Sequence, residues 1–253
     1  MQFMNYPVLV FVVTLVGLTL SAGFGTFLLK RHTPLGQDER DDLGVILAAS
    51  LTLLGLIIGF TFSMAVTRYD QRKNYEEEEA NAIGTEYLRV DLLASADAPK
   101  IHQTLREYLD QRIGFYQARD NDTRASINAT TSRLQAELWT SIESSARSNP
   151  TPIAALAAAG MNDVLNRQGY TQAAWWNRIP IAAWGLMFAI AIACNILIGF
   201  TSHRTNIRAR RYFVLPLIVA ISFLLIADID SPSGGIIRIH PQNLEALAQS
   251  LHP

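Results

Sequence analysis

The sequence predicts an all-α membrane protein, with four transmembrane helices and a helical-bundle insert between the second and third spans. Three observations predict it. Charged residues make up 17% of the 253 residues, fewer than soluble domains carry, and they crowd into 67–178. Four other stretches are almost free of charge and approach or exceed the ~20 residues that cross a hydrocarbon core. Within the charged stretch, apolar residues recur at helical spacing, and no strand pattern stands out.

The chain divides into a first transmembrane hairpin over 1–66 (spans 6–29 and 43–66) and a soluble helical insert over 67–178. A second hairpin follows over 179–227 (spans 179–200 and 212–227), then a tail over 228–253. Tyr6–Leu29 is too long for the apolar core of a signal peptide, and Met1–Asn5 has no Lys or Arg, so it reads as a retained helix. Tyr6, Trp175, Trp176 and Tyr212 stand at span edges, as an aromatic belt places them.

The second span has no clean end. No Gly or Pro interrupts Thr67–Glu79, so one long helix is expected to leave the membrane, burying Ala80, Ile83, Tyr87 and Val90. Pro99, with Asp97 as cap, starts a helix carrying Ile101, Leu105, Leu109, Ile113 and Tyr116. Asp120–Thr123 reads as a polar turn before a third helix with Ile127, Leu134, Leu138 and Ile142. Ser148–Pro152 breaks that helix. Thr151 and Pro152 then open an Ala-rich helix ending near Gly169, and Thr171 caps the run into the third span.

The net charge of −1 offers no basic field for nucleic acid. Cys194 is the one cysteine, so no intrachain disulfide forms. The histidines His32, His102, His203, His240 and His252 are scattered, and no nucleophile motif or metal pair is visible. The chain therefore does not read as an enzyme. No ionisable residue lies inside a span, which disfavours proton-coupled carriers. Asn195 is the one strongly polar intramembrane residue, expected to bond between helices.

Three constellations are candidates for function. Thr52, Gly55, Gly59 and Ser63, with Phe60 and Phe62, form a small-residue face on the second span. Such a face lines a pore or oligomer interface, or packs inside one bundle. Glu76, Glu79 and Glu86 would form a charged ring if copies gathered about an axis; a solvated helix face, neutralised by Arg72 and Lys73, is the alternative. Asp228 and Asp230 hint at an oxygen-rich Ca²⁺ loop, yet the EF-hand pattern fails at Pro232, and a capped helix end explains them equally. No other cofactor is indicated.

Two stretches together, GFTFSMAVTRYDQRKNYEEEEANAIGTEYLRVDLL at 59–93 and DIDSPSGGIIRI at 228–239, resemble the bestrophin-like family of bacterial membrane proteins. The resemblance covers most of the chain. It implies distant similarity to bestrophins, which are pentameric anion channels gated by Ca²⁺. The bestrophin aromatic pore neck and acidic Ca²⁺ clasp are not found at matching positions, and the insert is smaller. The expectation is a homo-oligomer in the lipid bilayer of a bacterial inner membrane, passing small ions. A membrane-anchored sensor or scaffold is the second reading. Lys30, Arg31 and Arg40, with Arg204, Arg208, Arg210 and Arg211, occupy two short loops on one side, which puts the insert and both termini in the periplasm. Arg68, Arg72, Lys73 and Arg178 flank the insert and favour the reverse, as bestrophin topology would.

Overall fold

A computed structural model describes residues 6–31, 36–93, 98–201 and 210–251. Met1–Asn5, His32, Asp97, His203, Arg204, Arg208 and His252, all invoked above, lie outside these residues, as do the side chains of Lys30, Arg31, Arg210, Arg211 and Tyr212. Every regular element among the described residues is a helix: α1 (Pro7–Arg31), α2 (Gln37–Val90), α3 (Ala98–Gln117), α4 (Asn121–Ser148), α5 (Pro152–Trp176), α6 (Ile181–Thr201), α7 (Arg210–Asp230) and α8 (Gln242–Leu251). Four of them contain windows long and apolar enough to cross a membrane. The chain forms two compact units, Met1–Thr67 with Arg178–Ile237, and Arg68–Asn177 with Arg238–Pro253.

In the first unit α1 packs against α6 and α7. The closest approach is set by two glycines. A Cβ at Gly25 would collide with the Ile196 carbonyl, and one at Gly199 with the Ala22 carbonyl. Small residues at these points let the two backbones touch, the usual solution where lipid gives no hydrophobic drive between helices. Trp184 and Phe188 of α6 each pack edge to face on Phe223 of α7, with Trp184–Phe223 centroids 5.7 Å apart. Polar side chains in the spans bond their own helices: Thr14 Oγ1 donates to Val10 O, Thr61 Oγ1 to Ile57 O, and Asn195 Nδ2 to Ala191 O. Asn195 thus bonds through its amide nitrogen within α6 rather than between helices, correcting the interhelical expectation, while its Oδ1 is buried with no hydrogen-bond partner.

In the second unit the carboxyl-terminal part of α2 joins α3, α4, α5 and α8. Ile83, Val90, Ile101, Leu105, Leu109, Leu134, Leu138 and Leu244 are at most 1% exposed. Each contributes roughly 1.5–3 kcal/mol by leaving water. The expected stripes of α3 and α4 are buried, except Ile113 and Ile127, which are partly so. Asp120 caps α4, its Oδ1 accepting from Thr123 N at 2.7 Å, so the expected turn is the helix's own first turn. Thr151 caps α5 through Ala154 N.

Two expectations are corrected. α5 does not end near Gly169; it runs to Trp176. A mid-helix glycine costs about 1 kcal/mol, which burial of Thr171, Ala174 and Trp175 beyond it outweighs. Trp175 is not a belt residue either. It packs in this unit's core on Phe115 and Tyr116, while Trp176 is exposed. The tail, over which no helix is expected from the sequence, supplies α8.

Candidate functional site

Only 6% of the apolar window of α2 is buried within the chain, against 28% for α1 and 50% for α7. Thr52, Gly55, Gly59, Phe60, Phe62 and Ser63 are all exposed. A Cβ at Gly55 or Gly59 would meet nothing within 4 Å, the reverse of Gly25 and Gly199. Helical spacing puts Thr52, Gly55, Gly59 and Ser63 on one face, with Phe60 and Phe62 flanking it about 80° to either side. Thr52 Oγ1 donates to Ala48 O at 2.9 Å, so even its polar group needs no neighbour.

The glutamates are placed differently from one another. Glu76 is buried and caps α8: its carboxylate accepts from Asn243 N at 2.9 Å, Leu244 N at 3.0 Å and Asn243 Nδ2 at 2.6 Å. A carboxylate at the amino end of a helix meets unbonded N–H groups and the favourable end of the helix dipole. Glu77 is exposed. Glu78 pairs with Arg167, which also reaches Asp163 at 3.2 Å.

Glu79 is fully buried and is the hub of a polar network. It accepts from Arg112 Nε, from Thr171 Oγ1 at 3.1 Å and from Tyr116 OH at 3.4 Å. Arg112 is itself fully buried, its guanidinium 4.5 Å from the Phe115 ring centroid. Burial alone would make Arg112 easier to deprotonate, but the Glu79 charge more than offsets this and holds it above its ordinary value. Tyr108 and Tyr116 are pushed up, first by burial and then by Glu79. Glu86 is also fully buried, with neither carboxylate oxygen hydrogen-bonded. Glu76, Glu79 and Glu86 thus point into their own unit rather than along a free helix face.

Asp228 and Asp230 anchor the start of the tail. Asp228 accepts from Ile236 N at 2.8 Å and Ile237 N at 2.9 Å, folding the turn back on the end of α7. A Cβ at Gly235 would stand 2.6 Å from Asp228 Oδ1, so the turn needs glycine there. Asp230 accepts from Arg178 Nε at 2.9 Å and from Ile179 N at 3.2 Å. Ca²⁺ takes six to eight oxygens. These two carboxylates are engaged by N–H donors, and no group of three or more His, Cys, Asp or Glu able to hold a metal occurs among the described residues. The donor set does not fit a Ca²⁺ loop.

Sequence reading missed Arg112 and Asn243, and Thr171, expected as a helix cap, instead lies inside α5 and donates to Glu79. For Arg112 a signal existed: it sits one turn after Tyr108, in the apolar register of α3, where a charge needs a buried partner.

Four helices long and apolar enough to cross a membrane, an exposed glycine face and a separate helical unit define a class: multi-span helical membrane proteins with a helical-bundle insert. The comparisons narrow it. The bestrophin-like domain model matches residues 10–244, and the chain belongs to that family. It is similar in fold to a point-mutant crystal structure of a bacterial bestrophin homolog from Klebsiella pneumoniae, at 14% identity and a TM-score of 0.61 over 95% of each chain. A second structure of a homolog from that organism, solved by Zn-SAD phasing, gives 14% identity and 0.58 over 96% of this chain and 95% of that one. A further structure, described as that of a membrane protein, gives 13% and 0.59 over 95% of each. No curated protein matches the sequence.

Proposed function

We propose that the protein is a homo-oligomeric membrane channel conducting small ions, its pore lined by the Thr52–Gly55–Gly59–Ser63 face of α2. One observation carries the reading: the chain leaves this uncharged, small-residue face uncovered while burying its other close-packing glycines. Family membership supports it, and so does the absence of ionisable groups from the second span. Phe60 and Phe62 would narrow the path hydrophobically. The glutamates take a structural role here. Glu76 and Glu79 lock α8, α3 and α5 onto the carboxyl-terminal part of α2. The partners are lipid, further copies of the chain and small ions, not nucleic acid. The insert and both termini face the periplasm of the bacterial inner membrane, from the arginine-rich short loops.

Purified protein in planar bilayers should pass current that depends on ion species. Absence of current across salts, pH and Ca²⁺ sinks the reading. A second reading, a membrane-anchored sensor or scaffold, is favoured by a groove of about 800 Å³ along α2 and α8, lined by Gly84, Leu88, Leu92 and Leu247. A monomer in native-like lipid would decide for it.

A further inference from the structure

Glu86 is the one acid on α2 that has neither a hydrogen bond nor access to water. Its side chain is 0% exposed, and both carboxylate oxygens lack hydrogen-bond partners. It lies over Gly160 of α5, where any Cβ would collide with its Oε2 and with Arg89 Nη1. Ala157, Met161 and Val164 make the neighbouring α5 surface apolar. A seat of this shape accepts a neutral carboxyl and resists a charged one, because an ion there loses its hydration with nothing to replace it.

The charges around it do not supply that replacement. Arg89, three residues on along α2, approaches to 3.8 Å and is about a third exposed, beyond hydrogen-bond reach. On α5, Asp163 is paired with Arg167, which also binds Glu78. On α3, His102 stacks on Tyr87 and faces Asp91, and Arg106 donates to the Tyr87 hydroxyl. On α8, Glu245 accepts from Gln117. Desolvation dominates, Arg89 opposes it only in part, and the carboxyl is pushed up to about 8.

We propose that Glu86 is a proton-binding site that controls the seating of α5 on α2. The carboxyl is occupied by a proton at neutral pH, and its ionisation loosens the Gly160 seat. When the proton leaves, the carboxylate must either draw water between the helices or pull Arg89 inward. Both open the packing around Gly160. This proposal is independent of conduction; it describes a proton-sensitive joint in the helical unit of the full chain.

The test is pH-difference infrared spectroscopy of the full-length protein in lipid nanodiscs. It is paired with hydrogen exchange of α5 amides, normalised for intrinsic exchange rates. The wild type should show the carbonyl stretch of an un-ionised acid at pH 7, where the acid form exceeds the ionised form about tenfold. That band should bleach as pH rises past 8, with α5 protection falling over the same range. Glu86→Gln, close in shape and permanently neutral, should lack both the band and the protection step. Gly160→Ala should displace the carboxyl and move the midpoint down toward the ordinary carboxylate range. A wild-type band that is absent at pH 7 overturns the proposal without recourse to any variant. So does a protection step that survives in folded Glu86→Gln.

Discussion

Replacing Glu79 by alanine removes the single acceptor for three buried donors, the Arg112 guanidinium and the Tyr116 and Thr171 hydroxyls. The largest loss is electrostatic. Arg112 is 0% exposed, and its two terminal nitrogens have no hydrogen-bond partner, so without Glu79 its charge would be buried with no counter-ion. Breaking a buried pair from one side costs about 3–5 kcal/mol. At roughly 2–4 °C of midpoint per kcal/mol, thermal unfolding in detergent, followed by circular dichroism, should shift down by roughly 10 °C. Glu77→Ala is the control, since Glu77 is exposed and its loss should change stability by less than about 0.5 kcal/mol. Replacing both partners, Glu79→Met with Arg112→Met, should recover most of the loss, because no orphan charge remains. Equal midpoints for Glu79→Ala and Glu77→Ala would refute the hub. They would return Glu79 to a solvated face, free to serve a charged ring.

Further outcomes follow from the same structure. Because the folded-state value of Glu86 lies above its ordinary 4.5, at about 8, the folded protein holds more protons than the unfolded one between those limits. The Glu86 contribution to stability is then largest below pH 4.5, falls as pH rises to 8 and is flat beyond, and spans at most about a few kcal/mol. Glu86→Gln should remove that slope in pH-dependent thermal melts. Gly25→Leu and Gly199→Leu force backbone carbonyls apart and should each lower the melting midpoint by the equivalent of at least about 1–3 kcal/mol. Gly55→Leu and Gly59→Leu meet open space in the chain and should leave the fold intact while disturbing assembly, read by native mass spectrometry in lipid. Asp230→Ala strips acceptors from Arg178 and from the Ile179 amide, and should cost about 2–3 kcal/mol, visible in the same melts.

The spans and the long second helix were legible because hydropathy and the lack of Gly or Pro between Thr67 and Glu79 are local signals. The stripes of α3 and α4 were legible for the same reason. The fates of Glu76, Glu79 and Glu86 were not. Helical periodicity says which residues share a face but not whether water, lipid or another helix lies against it. Glu76 is fixed by Asn243, a residue 167 positions away, and no local pattern records such a contact. The tail hid its helix because its first turn is capped from outside, by a carboxylate on α2, rather than by its own sequence. Gly169 misled because the buried Thr171, Ala174 and Trp175 carry the helix past it.

Cysteine scanning of the second span during planar-bilayer recording, in a background with Cys194 replaced, tests the proposed pore most directly. A charged thiol reagent should reduce current at positions 52, 55, 59 and 63 and leave it unchanged on the opposite side of the helix. Modification without effect at those four positions, in a protein that still conducts, would contradict the assignment of the glycine face to the ion path.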